Sequence, residues 1–114
     1  MKAGAAPRED RATLEREWLT LTRKVLPDLA RFRSWPVVDD HCFQRILFDA
    51  VVGGVWYDAV QHRPAYRHID HGVLMRALAL GYDVAEGRAD LDMLNEQSLL
   101  WRRARKRADR RGTR

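Results

Sequence analysis

His41, Cys42, Arg45 and Asp49 gather an imidazole, the only thiol of the chain, a guanidinium and a carboxylate into one short stretch. A thiol at a helix start, near an imidazole and a guanidinium, has its thiolate form favoured and can serve as a nucleophile. Two considerations weigh against that use. Neighbouring helical residues point about 100° apart, so His41 and Cys42 need not face each other. A cysteine is also more often a small buried hydrophobe than a reagent. Arg45 and Asp49 stand at i,i+4, the spacing of an ion pair along one helix face. With His68, these four are the candidates from which a catalytic pocket would be drawn.

The second chemical stretch holds His62, His68 and His71. His68 and His71 have an i,i+3 spacing that suits a metal only if both lie on one helix, and zinc asks for three or four ligands. Asp70, needed as a helix cap, interrupts the pair. No metal site and no cofactor are therefore expected. Arg63, Tyr66 and Arg67 interleave cations with an aromatic ring, a mixture that stacks on a base or clamps a phosphate. The same arginines can instead fold back on Trp56 or Trp35 as cation–π contacts.

These residues need elements to hold them. Asp39 or Asp40 opens a helix, its carboxylate accepting from free N–H groups. Phe43, Ile46, Leu47, Ala50 and Val51 form its buried stripe, and Gly53-Gly54 ends it. His41, Arg45 and Asp49, at i, i+4 and i+8, share another side. Upstream, Leu14, Trp18, Leu21 and Val25 have helical spacing, Pro27 breaks or kinks the run, and Trp35-Pro36 forces an extended step. Downstream, residues 55–60 read as a short helix and residues 62–68 as an extended polar-aromatic loop. Asp70 caps a helix carrying Leu74, Ala77, Leu78, Tyr82 and Ala85, closed by Gly87. Asp90 opens a last one with Leu91, Leu94, Ser98 and Trp101, running into the basic residues 102–107 before fraying. Asn95, Ser98 and Arg102 read as interhelical hydrogen-bonding groups. No alternating pattern of strand length occurs, so the fold class is all-α, a single small bundle of about five helices.

At 114 residues and 46% hydrophobic, the chain has the size and composition of one domain with one core. The expected organisation is a flexible leader (1–10), a helical domain (11–101) and a basic C-terminal tail (102–114). The net charge of +5 resides in that tail, where eight Lys/Arg face one Asp, leaving residues 1–101 at −2. Arg102, Arg103, Arg105, Lys106 and Arg107 can bind phosphate through counterion release. A lone cysteine favours a reducing compartment, no apolar run approaches the ~20 residues of a membrane span, and the N-terminus lacks a signal-peptide core. A cytoplasmic location without membrane contact is expected.

The ordered pieces His41-Cys42-Phe43-Gln44-Arg45-Ile46, Asp49, Trp56, Arg63-Pro64-Ala65-Tyr66-Arg67-His68, Leu94-Asn95, Ser98-Leu99 and Trp101-Arg102 resemble those of a known group. It consists of short bacterial proteins, with cyanobacterial and plastid relatives, that go under the name of GNAT-type N-acetyltransferase-like proteins. The resemblance spans residues 35–102 and implies acetyl transfer as an activity. A GNAT fold also needs a mixed sheet and an acetyl-CoA loop of the form Gln/Arg-x-x-Gly-x-Gly/Ala opening a helix. This chain has no such loop, and Gly53-Gly54 follows a helix instead.

Two functions remain in contention. The first is a binding protein that contacts nucleic acid or an acidic protein through its tail, with Arg63, Tyr66 and Arg67 beside Arg45 as a more selective surface. The alternative is an enzyme or enzyme subunit with a pocket around His41, Cys42, Arg45, Asp49 and His68. A structural subunit would instead expose an apolar patch through Trp18 or Trp35.

Overall fold

The computed structural model describes residues 6–112, with side chains from residue 11 onward. All regular structure among them is helical. The first rod consists of α1 (Ala6–Thr20), a π-helical turn (Leu21–Val25) and α2 (Leu26–Arg33). Helix thus begins within the stretch read as a leader, and residues 1–5 lie outside those described.

Pro27 does not break this rod. A proline lacks the N–H for the i−4 bond, and its ring presses on the carbonyl one turn back. Here the Leu26 N–H reaches the Leu21 carbonyl, which widens the spiral just ahead of the proline. The extra residue in that turn shifts the buried stripe by one. Trp18 and Leu21 are buried as expected, but Leu26 and Ala30 then point inward while Val25 is 37% exposed.

The rod ends at Ser34, whose left-handed conformation (φ 52°) turns the chain. Trp35 then packs edge-on to Phe43, with ring centroids 5.9 Å apart. Trp18 stacks on Phe48 at 4.4 Å and is fully buried. Neither tryptophan forms an exposed patch; the most exposed large apolar side chain among the described residues is Phe32, at 85%.

The central element is α3 (Asp40–Val52). Phe43, Ile46, Leu47 and Phe48 enter the core, together with the carboxylate of Asp49. Asp39 occupies the capping position without a side-chain cap, while the Asp40 carboxylate accepts from the His41 N–H. Gly53 ends the helix at φ 81°, its N–H bonded to the Asp49 carbonyl at 2.8 Å. The helix expected over 55–60 is a single 3₁₀ turn, Trp56–Asp58. The loop expected over 62–68 contains one helical turn, α4 (Ala65–His68). Arg11 secures it by donating to the carbonyls of Tyr66 (3.0 Å) and Ile69 (2.8 Å), an answer to the free acceptors at a helix end.

Asp70 caps α5 (His71–Ala85) by accepting from the N–H groups of Gly72 and Val73. Gly81 allows α5 to lie close against the first rod, since a Cβ there would sit 2.4 Å from Leu21 Cδ2. Asp90 accepts from the N–H groups of Asp92 and Met93 at the start of α6 (Leu91–Gly112). That helix runs past Arg107 without fraying, so most of the expected tail is helical. Among the described residues, no helix is long and apolar enough to cross a membrane.

Candidate functional site

Two features adjoin along α3, a polar seam with α6 and an open cleft, and Arg45 belongs to both. The seam is built on Asp49, which is 0% exposed. Its carboxylate accepts from Ser98 Oγ (2.6 Å), from Arg102 Nε (2.8 Å) and Nη2 (3.1 Å), and from the Trp56 N–H (2.9 Å). Every lone-pair direction of a buried carboxylate is thereby used, which is what permits its charge to be buried at all. Arg45 does not pair with Asp49. It donates from Nη1 to Ser98 Oγ (2.8 Å) and from Nη2 to Asn95 Oδ1 (2.9 Å). The expected ion pair along α3 gives way because Arg102 offers a two-pronged contact from the facing helix, whereas an i,i+4 pair is worth only a few tenths of a kcal/mol.

The cleft has a volume of about 460 Å³ and is lined by His41, Gln44, Arg45 and Phe48 from α3, with Trp56, Arg63, Pro64 and Ala65 opposite. The four α3 residues stand at i, i+3, i+4 and i+7, a single helix face. Gln44 is held by donating to Thr22 Oγ1 (3.0 Å), and Thr22 in turn donates to the Trp18 carbonyl (2.8 Å). Arg63 lies over the Trp56 ring at 5.4 Å.

Of the catalytic candidates, only His41 and Arg45 line this cleft. Asp49 is turned into the seam, and His68 sits beside His62 with ring centroids 5.4 Å apart. Tyr66 is half-buried against the core, and Arg67 is exposed. Sequence spacing put His41, Arg45 and Asp49 on one side; the missed wall is Gln44 and Phe48, which share His41's face more closely than Asp49 does.

His41 and Cys42 lie near each other at the start of α3. A carboxylate oxygen of Asp39, an imidazole nitrogen of His41 and the Cys42 sulfur lie within 4.8 Å of one another. This is one ligand short of a structural zinc site. His68 and His71 do not form such a group, because His68 ends α4 and His71 opens α5, with an extended step at Ile69 between them.

Along the basic segment, Arg102 and Arg105 are engaged by the body of the protein. Arg105 meets Asp58 (Nη2–Oδ1 2.7 Å) and Asp109, and both arginines lie over the Tyr57 ring. The hydrogen bond from Arg105 holds the Asp58 carboxyl below its usual range, and the Arg105 guanidinium is pushed up in return. Because the folded pKa of Asp58 lies below the unfolded one, the pair contributes above the ordinary carboxylate pKa of about 4 and is lost as pH falls through the lowered folded value. We expect the ¹³Cα shifts of residues 103–110 to move toward coil values below about pH 4. Asp58→Asn should produce that shift at neutral pH. Helical shifts that persist in both conditions would exclude a role for the pair in ordering the segment.

Neither a family model, nor a curated protein, nor a solved structure matches this chain. Its class is therefore defined by its own features, an all-α bundle with a buried ionic seam and a cation-lined cleft.

Proposed function

We propose that this protein is a cytoplasmic nucleic-acid-binding protein whose contact face lies on the C-terminal half of α6. The observation that carries the reading is the arrangement of cations left over after the seam is formed. Arg103, Lys106 and Arg107 are exposed, follow i, i+3, i+4 spacing, and their side chains make no hydrogen bond or ion pair among the described residues. A helical stripe of this kind presents its charges together, and its attraction to phosphate needs no base sequence. Arg102 and Arg105 serve to hold the stripe against the body. The half-buried, lone Cys42 agrees with a reducing compartment.

The alternative reading, an enzyme or acetyltransferase-like subunit, draws on His41 and Arg45, which share the cleft. It loses Asp49 to Arg102, and among the described residues there is no strand from which a GNAT sheet would be made.

Fluorescence anisotropy with labelled single- and double-stranded DNA across a salt series tests the proposal. Binding by the full chain should weaken steeply with salt. The triple variant R103Q/K106Q/R107Q should reduce the log–log salt slope by roughly 2–3, at about 0.7–0.9 per phosphate contact. No binding at low salt, or an unchanged slope in the variant, would overturn it.

A further inference from the structure

We infer that the cleft between α3 and the Trp56–Ala65 segment is a separate binding site for a small organic oxyanion, a molecule with an apolar or aromatic body and a phosphate or carboxylate head. Two guanidinium groups, Arg45 and Arg63, line it together with the His41 imidazole, and no Asp or Glu is among the lining residues. The Asp39 and Asp40 carboxylates flank His41 outside that lining. Two other cavities of comparable size differ. One, of about 370 Å³, is lined by Arg16 and Glu17 together, and the other, of about 360 Å³, by Asp92 and Glu96.

Arg45 is oriented without being neutralised. Its two partners, Ser98 and Asn95, are uncharged, and among the described residues no carboxylate lies within ion-pair distance of it. The adjoining acid, Asp49, is already paired with Arg102. The seam thus holds two guanidinium groups for one carboxylate, linked through Ser98, and the surplus charge lies at the cleft. Of the five N–H donors of a guanidinium, Arg45 uses two within the protein, and three remain for a ligand. A half-buried cation of this kind is costly without a counter-charge, and an oxyanion in the cleft supplies one.

The opposite wall completes the site. Arg63 lies over the Trp56 ring, a contact that favours placement of its guanidinium at the rim. Trp56, Pro64 and Ala65 supply apolar surface for the body of the ligand above Phe48, which is itself almost fully buried. About 460 Å³ falls within the roughly 300–1,000 Å³ usual for small-molecule sites.

Phenyl phosphate and phenylacetate serve as probes, with phenol as the neutral control, each titrated into ¹⁵N-labelled full-length protein by NMR. We expect saturable shifts at His41, Gln44, Arg45, Trp56 and Arg63 with at least one of the two anions, and binding of phenol about tenfold weaker, the difference of one charge-assisted hydrogen bond. A response to phenyl phosphate alone assigns the head as phosphate; a response to phenylacetate alone assigns it as carboxylate. Arg63→Gln, at an exposed position, should weaken binding about tenfold with the fold intact, and Arg45→Met at least as much. The R103Q/K106Q/R107Q variant should bind the probe as the unaltered chain does, which separates this site from the α6 stripe. Absence of saturable shifts with both anions, shifts confined to α6, or unchanged affinity in Arg63→Gln would each overturn the inference.

Discussion

Asp49→Ala should lower the stability of the fold by about 3–5 kcal/mol, the range for removing one partner of a buried ion pair. The carboxylate is fully buried and receives four hydrogen bonds, from Ser98, twice from Arg102, and from the Trp56 N–H. Alanine would strand the Arg102 guanidinium against the body and leave the Trp56 N–H without its acceptor, so the penalty exceeds the net worth of the bonds themselves. For a domain of this size the loss corresponds to a fall in Tm of roughly 12–20 °C. Urea denaturation of Asp49→Ala and of the double variant Asp49→Ala/Arg102→Met provides the check. The double variant should regain at least about 1 kcal/mol, because an apolar replacement of both partners removes the stranded charge. A single variant within about 1 kcal/mol of the unaltered protein would mean that the seam does not hold α6 to α3.

Trp18→Ala should cost a similar amount, about 3–5 kcal/mol, for a different reason. Trp18 is fully buried and stacks on Phe48, so its removal leaves a cavity between the first rod and α3. Its Nε1–H meets no acceptor among the described residues. A buried donor without a partner already detracts from stability, so Trp18→Phe should recover most of the loss and cost less than about 1.5 kcal/mol. Phe48 forms part of the cleft wall, and Trp18→Ala should therefore also weaken binding of the anionic probe at temperatures where the variant is still folded. Urea denaturation of the pair separates the two terms. Equal losses for Ala and Phe would overturn the expectation that ring burial, and not the indole N–H, carries the stability.

Much of the architecture was legible from local chemistry. Asp70 and Asp90 each accept two N–H groups in the turn that follows, and Gly53 takes the left-handed conformation that ends α3. These are contests settled within four or five residues, which the amino-acid pattern records directly. The one-residue shift from Val25 to Leu26 was not legible. Helical spacing predicts a uniform 3.6-residue turn, whereas the structure meets Pro27 with a wider one.

The candidate site divides in the same way. Residue types by themselves determined that an imidazole, a thiol, a guanidinium and a carboxylate share one helix, that the fold is all-α, and that the excess positive charge is carried at the C-terminal end. Only the tertiary structure decided which cations are used and which are left over. Arg102, 53 positions from Asp49, takes the carboxylate that Arg45 was expected to take. Arg45 turns to Ser98 and Asn95 and brings its surplus charge to the cleft wall opposite Arg63. A pairing along one helix is weak and exposed, so it yields to a two-pronged buried contact from a neighbouring helix. The partner in that contact is chosen by how α6 packs on α3, and helical periodicity within either segment carries no information about it.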